Sequence, residues 1–390
     1  MVIIAGVDEA GRGPLAGPVV AAAVILPNSY NLEGLDDSKK VAPKKRSQLF
    51  VDIKHQATAI GVGVVAAADI DKTNILQATQ QAMKMALGRL KPRPDQAVID
   101  GHELPTQIIP NKGVIKGDQT VDVIKAASII AKVTRDNMME QYDIIFPAYG
   151  FRKHKGYGTR EHMDKLRLNK ACVIHRKSFK PVASAMPTLS WLRKEDGIGQ
   201  WGEQTAAVYL LERGYEIVAM NVHCDPYGEI DIIAEKDGII IFVEVKTYSK
   251  KQPLYHEGKR PRYLYYLVRG KVKAFKIHED GKEYITDILS DGDFIGYHAL
   301  INDSNYADST LILEEAEIMQ IPREDFLQMI YKDIQVAAKF IHIITQNIKE
   351  KEERLISLAY SSLRKRVAKA LVDIHSKYNS NGGSNPIEIS

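Results

Sequence analysis

The sequence is poor in cysteine and has no long hydrophobic run. Its 390 residues include only two cysteines, Cys172 and Cys224, which lie far apart in the chain. This excludes a disulfide framework and a cysteine-based zinc site, and it favours a reducing compartment. No apolar stretch approaches the roughly 20 residues of a membrane span, and residues 1–7 lack the basic and apolar regions of a secretory signal. We therefore expect a cytoplasmic protein that has no membrane partner.

The net charge of +4 hides an uneven distribution of charge. Residues 1–182 contain 27 Lys and Arg against 18 Asp and Glu, so the remainder of the chain is net acidic. Ten of these basic residues fall within residues 152–180, where the only acids are Glu161 and Asp164. Such a density of positive charge is typical of a surface that binds nucleic-acid phosphates. A solvated basic surface without a ligand is the alternative interpretation.

The chain is too long for one ordinary core, and its pattern changes abruptly along its length. In residues 1–182, apolar strands alternate with helical patterns, which predicts an α/β domain. The predicted strands there are residues 2–7, 19–26, 59–65 and 96–99, and the predicted helices are residues 43–55, 71–90 and 121–142. The later segments are a linker (183–199), a partial α/β domain (200–251), a partial domain of short strands (252–322), a long helical segment (323–378) and a Gly/Ser/Asn-rich tail (379–390).

Four acids follow or border the predicted strands of the first domain. Asp8 and Glu9 come after the strand at residues 2–7, Asp100 ends the strand at 96–99, and Asp118 precedes a helix. Because ligand crevices lie at the carboxyl edge of α/β sheets, these carboxylates could converge there. An oxygen-only set favours Mg²⁺ or Mn²⁺ over zinc. Each acid taken alone fits a surface residue equally well, and Asp118 could simply cap the helix.

Several longer motifs make residues 1–182 resemble bacterial ribonuclease HII. The matching stretches are Asp8–Val19 (DEAGRGPLAGPV), Asp37–Lys40 (DSKK), Val98–Gly101 (VIDG), Gly117-Asp118, Ala126–Asp136 (AASIIAKVTRD), Lys155–Thr159 (KGYGT) and Arg176–Pro181 (RKSFKP). The resemblance implies a ribonuclease H-like fold, in which a mixed sheet is flanked by helices. It also implies an endonuclease that cuts RNA in RNA–DNA hybrids and at ribonucleotides embedded in duplex DNA. Cleavage by two-metal water attack would leave 3′-OH and 5′-phosphate ends.

The same resemblance implies roles for individual residues. Asp8, Glu9, Asp100 and Asp118 match the catalytic carboxylates that bind Mn²⁺ or Mg²⁺. The loop Gly11-Arg12-Gly13 matches the loop that reads the ribose 2′-OH through its backbone, which glycine allows to approach a ligand closely. Tyr157 matches the tyrosine that packs on the neighbouring sugar, although a half-exposed packing tyrosine is the plain alternative. Lys39 would contact phosphates.

Residues 198–250 resemble the small bacterial YraN-like (UPF0102) proteins, which are similar to restriction-endonuclease-fold nucleases. The resemblance is carried by Gly202-Glu203, Gly214-Tyr215, Asn221, Gly228–Asp231 (GEID) and Phe242–Thr247 (FVEVKT). It implies a second nuclease site made of Glu203, Asp231, Glu244 and Lys246. Alternating Glu and Lys on a strand is also ordinary solvent-face patterning. The match covers only part of such a protein, so we expect a partial restriction-endonuclease-like segment.

Residues 254–378 resemble the ligand-sensing part of a cyclic-AMP-receptor-type regulator, which implies a partial β-roll followed by a long helix. The resemblance is carried by Tyr263–Lys276 (YLYYLVRGKVKAFK), Asp291–Gly296 (DGDFIG) and Arg364–Ala368 (RKRVA). Tyr297 stands where cyclic-nucleotide binders carry a Glu, and no Lys or Arg lies between Gly296 and Pro322. A buried cyclic phosphate would therefore lack a counter-charge, and we expect no cyclic-nucleotide binding. The helix around residues 337–358 could pair with its copy in a homodimer or pack as the end of a core.

Two alternatives to the nuclease interpretation remain. The chain could be a sensor-type transcriptional regulator, although no DNA-reading helix-turn-helix is recognised within its 390 residues. It could also be a fusion or assembly artefact in which only the first module is functional.

Overall fold

The computed structural model describes residues 2–105, 109–194, 197–224, 228–248, 250–278, 280 and 282–332, together with isolated positions from 334 to 352. The chain divides into two compact units. The first contains Met1–Met220 and Ala234–Ile239, and the second contains Asn221–Ile233 and Ile240–Ser390. The domain boundaries given above from the sequence stay predictions.

The first unit contains a five-stranded mixed sheet flanked by helices, which confirms the predicted α/β fold. Strand β1 lies at the centre, antiparallel to β2 and parallel to β4, in the order β3-β2-β1-β4-β5. The strands are β1 (Ile4–Ala10), β2 (Val19–Ile25), β3 (Ala59–Val65), β4 (Gln96–Asp100) and β5 (Asn111–Val114). The helices are α1 (Pro43–Gln56), α2 (Ala67–Lys72), α3 (Ile75–Gly88), α4 (Gly117–Thr120), α5 (Asp122–Ile145), α6 (Phe151–His154), α7 (Arg160–Asn169), α8 (Lys180–Ala183), α9 (Leu189–Lys194) and α10 (Gly197–Glu212).

Strand β2 separates the two halves of the hydrophobic core. Every residue of β2 is buried, and successive side chains alternate between the two faces of the sheet. Ala21 and Ala23 pack on the face covered by α3, whereas Ala22 and Val24 pack on the face covered by α1 and α5. A strand covered by helices on both faces can be apolar along its whole length, which explains its uninterrupted run of Val and Ala.

Glycine lets a helix approach the central strand next to the acidic residues. A Cβ on Gly6 of β1 would lie 2.2 Å from the backbone carbonyl carbon of Val123, at the start of α5. Helix α5 therefore packs directly on the backbone of β1, two residues before Asp8. This contact fixes the start of α5 beside the carboxyl end of the strand.

The observed elements differ from the predicted ones at several boundaries. Strand β1 continues to Ala10, so Asp8 and Glu9 lie within the strand and do not follow it. The predicted helix at 71–90 is two helices, because Asn74 breaks the run and its side chain accepts a hydrogen bond from the Gln77 N–H at 3.0 Å. The segment predicted as a linker, 183–199, contains α9 and the start of α10, and β5 was not predicted.

The other sheet is antiparallel in the strand pairs with a described register and resembles a β-roll, as expected for the third segment. Its order is β10-β9-β12-β8-β7-β6, and β11 pairs with β9. The strands are β6 (Glu216–Cys224), β7 (Gly228–Lys236), β8 (Ile239–Tyr248), β9 (Tyr263–Ile277), β10 (Glu283–Leu289), β11 (Phe294–Ile295) and β12 (Ser309–Pro322). Two helices accompany them, α11 (Tyr297–Ile301) and α12 (Arg323–Lys332).

The YraN-like and sensor-like segments share this sheet. Strand β8, from the YraN-like segment, pairs antiparallel with β12, so that Glu244 lies opposite Gln320 and Tyr248 lies opposite Ala316. On this side of β12, residues 316–320 are therefore paired with β8 and are not exposed as a sheet edge.

The predicted long helix begins at Arg323, where α12 starts. Its continuation from 333 to 378 lies outside the described residues except for isolated positions up to 352, and so does the tail 379–390. The predicted homodimer contact around residues 337–358 falls largely on this part of the chain.

Candidate active site

Three acidic residues lie at the carboxyl end of two neighbouring parallel strands. Asp8 and Glu9 belong to β1, and Asp100 is the last residue of β4. Val7 is paired with Ile99 in the register of these strands. Asp8 and Asp100 are the next residues on the two strands and therefore lie at the same edge of the sheet. This edge is where open α/β sheets bind their ligands.

Asp118 reaches the same edge from the short helix α4. Its backbone N–H donates to Oδ1 of Asp100 at 3.2 Å, and Asp118 is buried. A glycine precedes it, and a Cβ on Gly117 would lie 2.5 Å from Cδ1 of Ile124. Helix α5 begins after Val121 and has no side-chain cap. Asp118 therefore does not cap α5, and the structure places it beside Asp100.

The pKa values of Asp8, Glu9 and Asp118 are raised in this cluster. Burial raises the pKa of Asp8 to about 8, and the charges of Glu9 and Asp100 contribute to this shift. Burial also raises the pKa of Glu9, and burial followed by the charge of Asp100 raises that of Asp118. The cause is common to all three, since buried acids that lie close together oppose each other's ionisation. The cluster therefore favours binding of protons or of cations.

Two cationic side chains offset only part of this negative charge. Arg12 Nη1 lies 3.2 Å from Oε1 of Glu9, and Lys39 Nζ lies 3.8 Å from Oδ2 of Asp118. Both cations are exposed, with 54% of the Arg12 side chain and 80% of the Lys39 side chain accessible. Ion pairs this exposed contribute little free energy. They leave the buried Asp8 and the half-buried Asp100 without a cation in contact among the described residues.

Two serines support Asp8 from the interior. Ser128 of α5 hydrogen-bonds to the Asp8 side chain, which lowers the carboxyl pKa against the larger effect of burial. Ser128 Oγ lies 2.9 Å from Ser38 Oγ, and both hydroxyls are buried. Sequence reasoning assigned no role to either serine. The available signal was the placement of Ser128 in a row of small buried residues on one helix.

The donor set of this cluster fits a divalent cation. All of its ligating atoms are carboxylate oxygens, which hard cations such as Mg²⁺ and Mn²⁺ prefer. Its excess of negative charge, expressed in the raised pKa of Asp8, is what a bound cation would neutralise. Within the described residues, no three His, Cys, Asp or Glu side chains are already arranged closely enough to coordinate one metal ion. The structure therefore brings the four acids to one edge without a finished coordination sphere.

The loop after β1 lies beside Tyr157. Gly11 has φ +99°, and a Cβ there would meet Nε of Arg135 at 2.2 Å, so only glycine fits without displacing that side chain. A Cβ on Gly13 would lie 3.8 Å from Cε1 of Tyr157, and 43% of Tyr157 is exposed. The loop and the tyrosine therefore border the same open surface, next to Glu9.

Two buried arginines lie beneath this loop, and sequence reasoning missed both. Arg135 and Arg176 are 1% and 0% exposed. Arg135 follows Ala127 and Ala131 at four-residue spacing on α5, a buried face that could have indicated its burial. Arg176 gave no such signal, because it belongs to the basic run at residues 152–180. That run is otherwise mostly exposed and includes Arg160, whose side chain is 98% accessible.

The second predicted site is assembled in part. Asp231 of β7 accepts a hydrogen bond from the Val245 N–H at 2.6 Å, between Glu244 and Lys246 of β8. Burial raises the pKa values of Asp231 and Glu244, and the charge of Lys246 opposes both shifts. Glu203 lies on α10, which belongs to the other compact unit.

A cavity of about 450 Å³ lies in the sensor-like part of the second unit. Its described lining includes one lysine, Lys276, no arginine, and the two acids Asp287 and Asp308. His298 and Tyr306 also border it. Two acids against one permanent cation make this lining poorly suited to a phosphate.

Across the described residues, no helix combines the length and apolar character that crossing a bilayer requires.

Comparison with known proteins gives three family matches. The ribonuclease HII family model matches residues 5–182, the model of the uncharacterised protein family UPF0102 matches residues 202–261, and the cyclic nucleotide-binding domain model matches residues 245–333. The order of these matches confirms the three resemblances described above.

Curated relatives and solved structures each match a part of this chain. Ribonuclease HII of Desulfitobacterium hafniense is 57% identical over 179 residues, which is 46% of this chain and 69% of that protein. Ribonuclease HII of Geobacillus thermodenitrificans is 54% identical over 183 residues, covering 47% and 70%. A crystal structure of ribonuclease H2 from Pyrococcus horikoshii covers 47% of this chain and 97% of its own, with 26% identity and a TM-score of 0.41. The Thermus thermophilus catabolite activator protein covers 34% and 62%, with 26% identity and a TM-score of 0.28.

An α/β unit with four acids at one sheet edge thus coincides with the region that is more than half identical to those two curated enzymes. The chain belongs to the ribonuclease HII family.

Proposed function

We propose that this chain is a metal-dependent endonuclease that cleaves RNA in RNA–DNA hybrids and at single ribonucleotides embedded in duplex DNA. The observation that carries the proposal is the crowding of four carboxylates at one sheet edge, where burial and mutual repulsion raise the pKa of Asp8 to about 8. A site with this excess of negative charge stabilises a divalent cation and, through it, an anionic phosphate.

Asp8, Glu9, Asp100 and Asp118 would hold the cation, which we propose to be Mg²⁺ or Mn²⁺ because every donor is an oxygen. When bound, such ions lower the pKa of a water nucleophile and stabilise the leaving oxygen of a phosphodiester. The Asp118 N–H fixes the Asp100 carboxylate, and Ser128 fixes that of Asp8, so both face the edge in a defined orientation.

The remaining residues of the site bind the substrate. Lys39 and the exposed basic residues of 152–180 contact phosphates and carry no sequence preference. The backbone of Gly11-Arg12-Gly13, which is exposed at Arg12 and Gly13, approaches the ribose, whose 2′-OH distinguishes RNA from DNA. The ring of Tyr157, which lies against Gly13, packs on the adjacent sugar.

Replacing Asp100 with asparagine tests the proposal. The substrate is a labelled DNA duplex that contains one ribonucleotide, incubated with Mn²⁺, with Mg²⁺ or with EDTA. We expect the parent protein to incise beside the ribonucleotide in either metal and not in EDTA. Asp100→Asn should abolish incision while hybrid binding persists, because the loss removes a metal ligand and leaves the phosphate contacts in place.

Asp52→Asn is the matched control. Asp52 lies on α1 away from the cluster and accepts a hydrogen bond from Gln48, so incision should continue at the parent rate. Unchanged turnover in Asp100→Asn would contradict the metal assignment. A metal-independent shift of duplex DNA without any incision would instead favour the regulator interpretation.

The other features indicated by the sequence stay predictions. Asp231, Glu244 and Lys246 could act as a second nuclease site, and EDTA-sensitive cutting of all-deoxy DNA by Asp100→Asn would reveal it. A stable proteolytic fragment that ends near residue 182, with the remainder degraded, would favour a fusion in which only the first module is functional.

A further inference from the structure

The side chain of Arg176 donates three hydrogen bonds to backbone carbonyls of the loop that follows β1. Its Nη2 donates to the carbonyl of Gly11 at 2.5 Å, its Nη1 to the carbonyl of Arg12 at 2.9 Å, and its Nε to the carbonyl of Gly17 at 3.0 Å. The planar guanidinium carries its donors in a rigid fork, so it can hold two successive carbonyls in one orientation. A lysine at this position could not reproduce that geometry.

The charge of Arg176 is buried and has no acidic partner. Among the described residues, no carboxylate lies within ion-pairing distance of it, and its side chain is fully buried. A buried charge without an ion-pair partner is costly, and here three backbone carbonyls accept its hydrogen bonds while the charge of Asp71 stabilises it from beyond ion-pairing distance. Burial and the neighbouring charge of Arg135 lower the pKa of Arg176 to about 9. Holding the loop by this arrangement therefore has a cost in stability, which suggests that the orientation of the loop matters for function.

The orientation of these carbonyls determines where the amide groups lie. In a trans peptide, the C=O of one residue and the N–H of the next point in opposite directions. Because the carbonyls of Gly11 and Arg12 are directed inward at Arg176, the N–H groups of Arg12 and Gly13 are directed to the opposite side. Both residues are exposed, and a Cβ on Gly13 would lie 3.8 Å from Cε1 of Tyr157.

We propose that Arg176 is a positioning residue for ribose specificity, holding the N–H groups of Arg12 and Gly13 as a pair of donors for the 2′-oxygen of the ribonucleotide. The proposal rests on the function proposed above and names the part of the site that distinguishes ribose from deoxyribose. A site built to hydrogen-bond a hydroxyl rejects the analogue that lacks it, because its desolvated donors are then left unpaired.

Arg135 provides a matched control. It is also a buried arginine with three carbonyl partners, and these are Pro18, Lys155 and Ala16. None of these carbonyls belongs to the peptides whose N–H groups are at issue. Arg135→Lys should therefore loosen the same region of the fold without turning the donors of Arg12 and Gly13.

The experiment compares the binding of two duplexes of identical sequence, one with a single ribonucleotide and one all-deoxy, measured by fluorescence anisotropy in EDTA so that neither is cut. We expect the full-length parent protein to prefer the ribonucleotide duplex. Arg176→Lys should reduce this preference about tenfold, as expected for the loss of one to two hydrogen bonds, with affinity for the all-deoxy duplex unchanged. Arg135→Lys should keep the preference, and thermal unfolding should show comparable destabilisation of the two variants.

Three outcomes would overturn the inference. A folded Arg176→Lys with the parent's preference would do so, as would an equal loss in both variants. A parent that incises at the ribonucleotide yet binds both duplexes equally would also overturn it and leave the proposed nuclease intact. A parent that neither incises nor prefers the ribonucleotide would count against the proposed function itself.

A second measurement uses the unaltered chain and decides the matter if Arg176→Lys does not fold. In protein labelled with ¹⁵N-glycine, the amide proton of Gly13, assigned by its loss in Gly13→Ala, should move downfield with the ribonucleotide duplex and not with the all-deoxy duplex. Identical spectra with the two duplexes would exclude the proposed contact.

Discussion

Asp8→Asn should stabilise the metal-free protein at alkaline pH relative to the parent, although it removes a central residue of the site. The pKa of Asp8 is raised from 3.8 to about 8, first by burial and then by the charge of Glu9. Between these two values the folded protein holds a proton that the unfolded chain has released. Stability therefore falls as pH rises through this window, with a slope of about 1.4 kcal/mol per pH unit from this one group.

The magnitude follows from the same shift. Between pH 5 and pH 8, Asp8 alone can lower the free energy of unfolding by at most about 4 kcal/mol, and relaxation around the ionised group makes about 2 kcal/mol the working expectation. Asparagine removes the titration, and its side-chain oxygen can still accept the Glu9 N–H, which lies 2.7 Å from Oδ1 of Asp8. The free energy of unfolding of Asp8→Asn should therefore increase progressively relative to that of the parent as pH rises.

The assay is hydrogen exchange in EDTA, measured by mass spectrometry on peptides from β1 and β4 at pH 5 to 8 and corrected for intrinsic exchange rates. Because it reports the opening of individual strands, it does not require the two compact units to unfold together. Asp52→Asn, outside the cluster, serves as the control and should show a difference from the parent that does not depend on pH. At pH 8, added Mn²⁺ should raise the opening free energy of the parent far more than that of Asp8→Asn.

One result would refute this reasoning. If the difference in opening free energy between Asp8→Asn and the parent is the same at pH 5 and pH 8, then burial and its neighbours do not hold Asp8 in the protonated form. The electrostatic argument for a cation site would then lose its basis.

Two further outcomes are expected. Tyr157→Phe should retain incision near the parent level because it keeps the ring beside Gly13. Tyr157→Ala should lower kcat/KM at a single ribonucleotide about tenfold, because the substrate loses an apolar contact. Equal single-turnover rates for the parent and Tyr157→Ala would show that the ring does not contact the substrate. Calorimetric titration of the full chain with cyclic AMP and cyclic GMP should give no saturable heat, because one lysine faces two acids in the cavity lining; a saturable isotherm would contradict this.

The acidic site was accessible to sequence reasoning because its signal is local. Asp8, Glu9 and Asp100 each stand at the end of an apolar run, and the carboxyl ends of neighbouring parallel strands meet at one sheet edge. The motifs around them were long enough to indicate a family. Local pattern was less reliable for boundaries, as in the helix at 71–90, where the side chain of Asn74 accepts a backbone hydrogen bond and starts a new helix.

The pairing of β8 with β12 could not be predicted in the same way. Treating residues 200–251 and 252–322 as separate partial domains follows the sequence resemblances, which change near residue 252. Strand pairing follows backbone hydrogen bonding instead, and any unpaired strand edge can accept a neighbour from another segment. The register of Glu244 opposite Gln320 is therefore a property of the folded chain alone.

By itself, the sequence determined the α/β class of the first unit, the oxygen-only chemistry of its acidic cluster and the order of three family resemblances. Only the tertiary structure decided what the buried polar side chains do. Arg176 meets the carbonyl of a residue 165 positions away, and Ser128 meets a hydroxyl 90 positions away. Periodicity and spacing report which residues are buried, but the partner of a buried donor is set by how distant segments pack, and no local pattern encodes that.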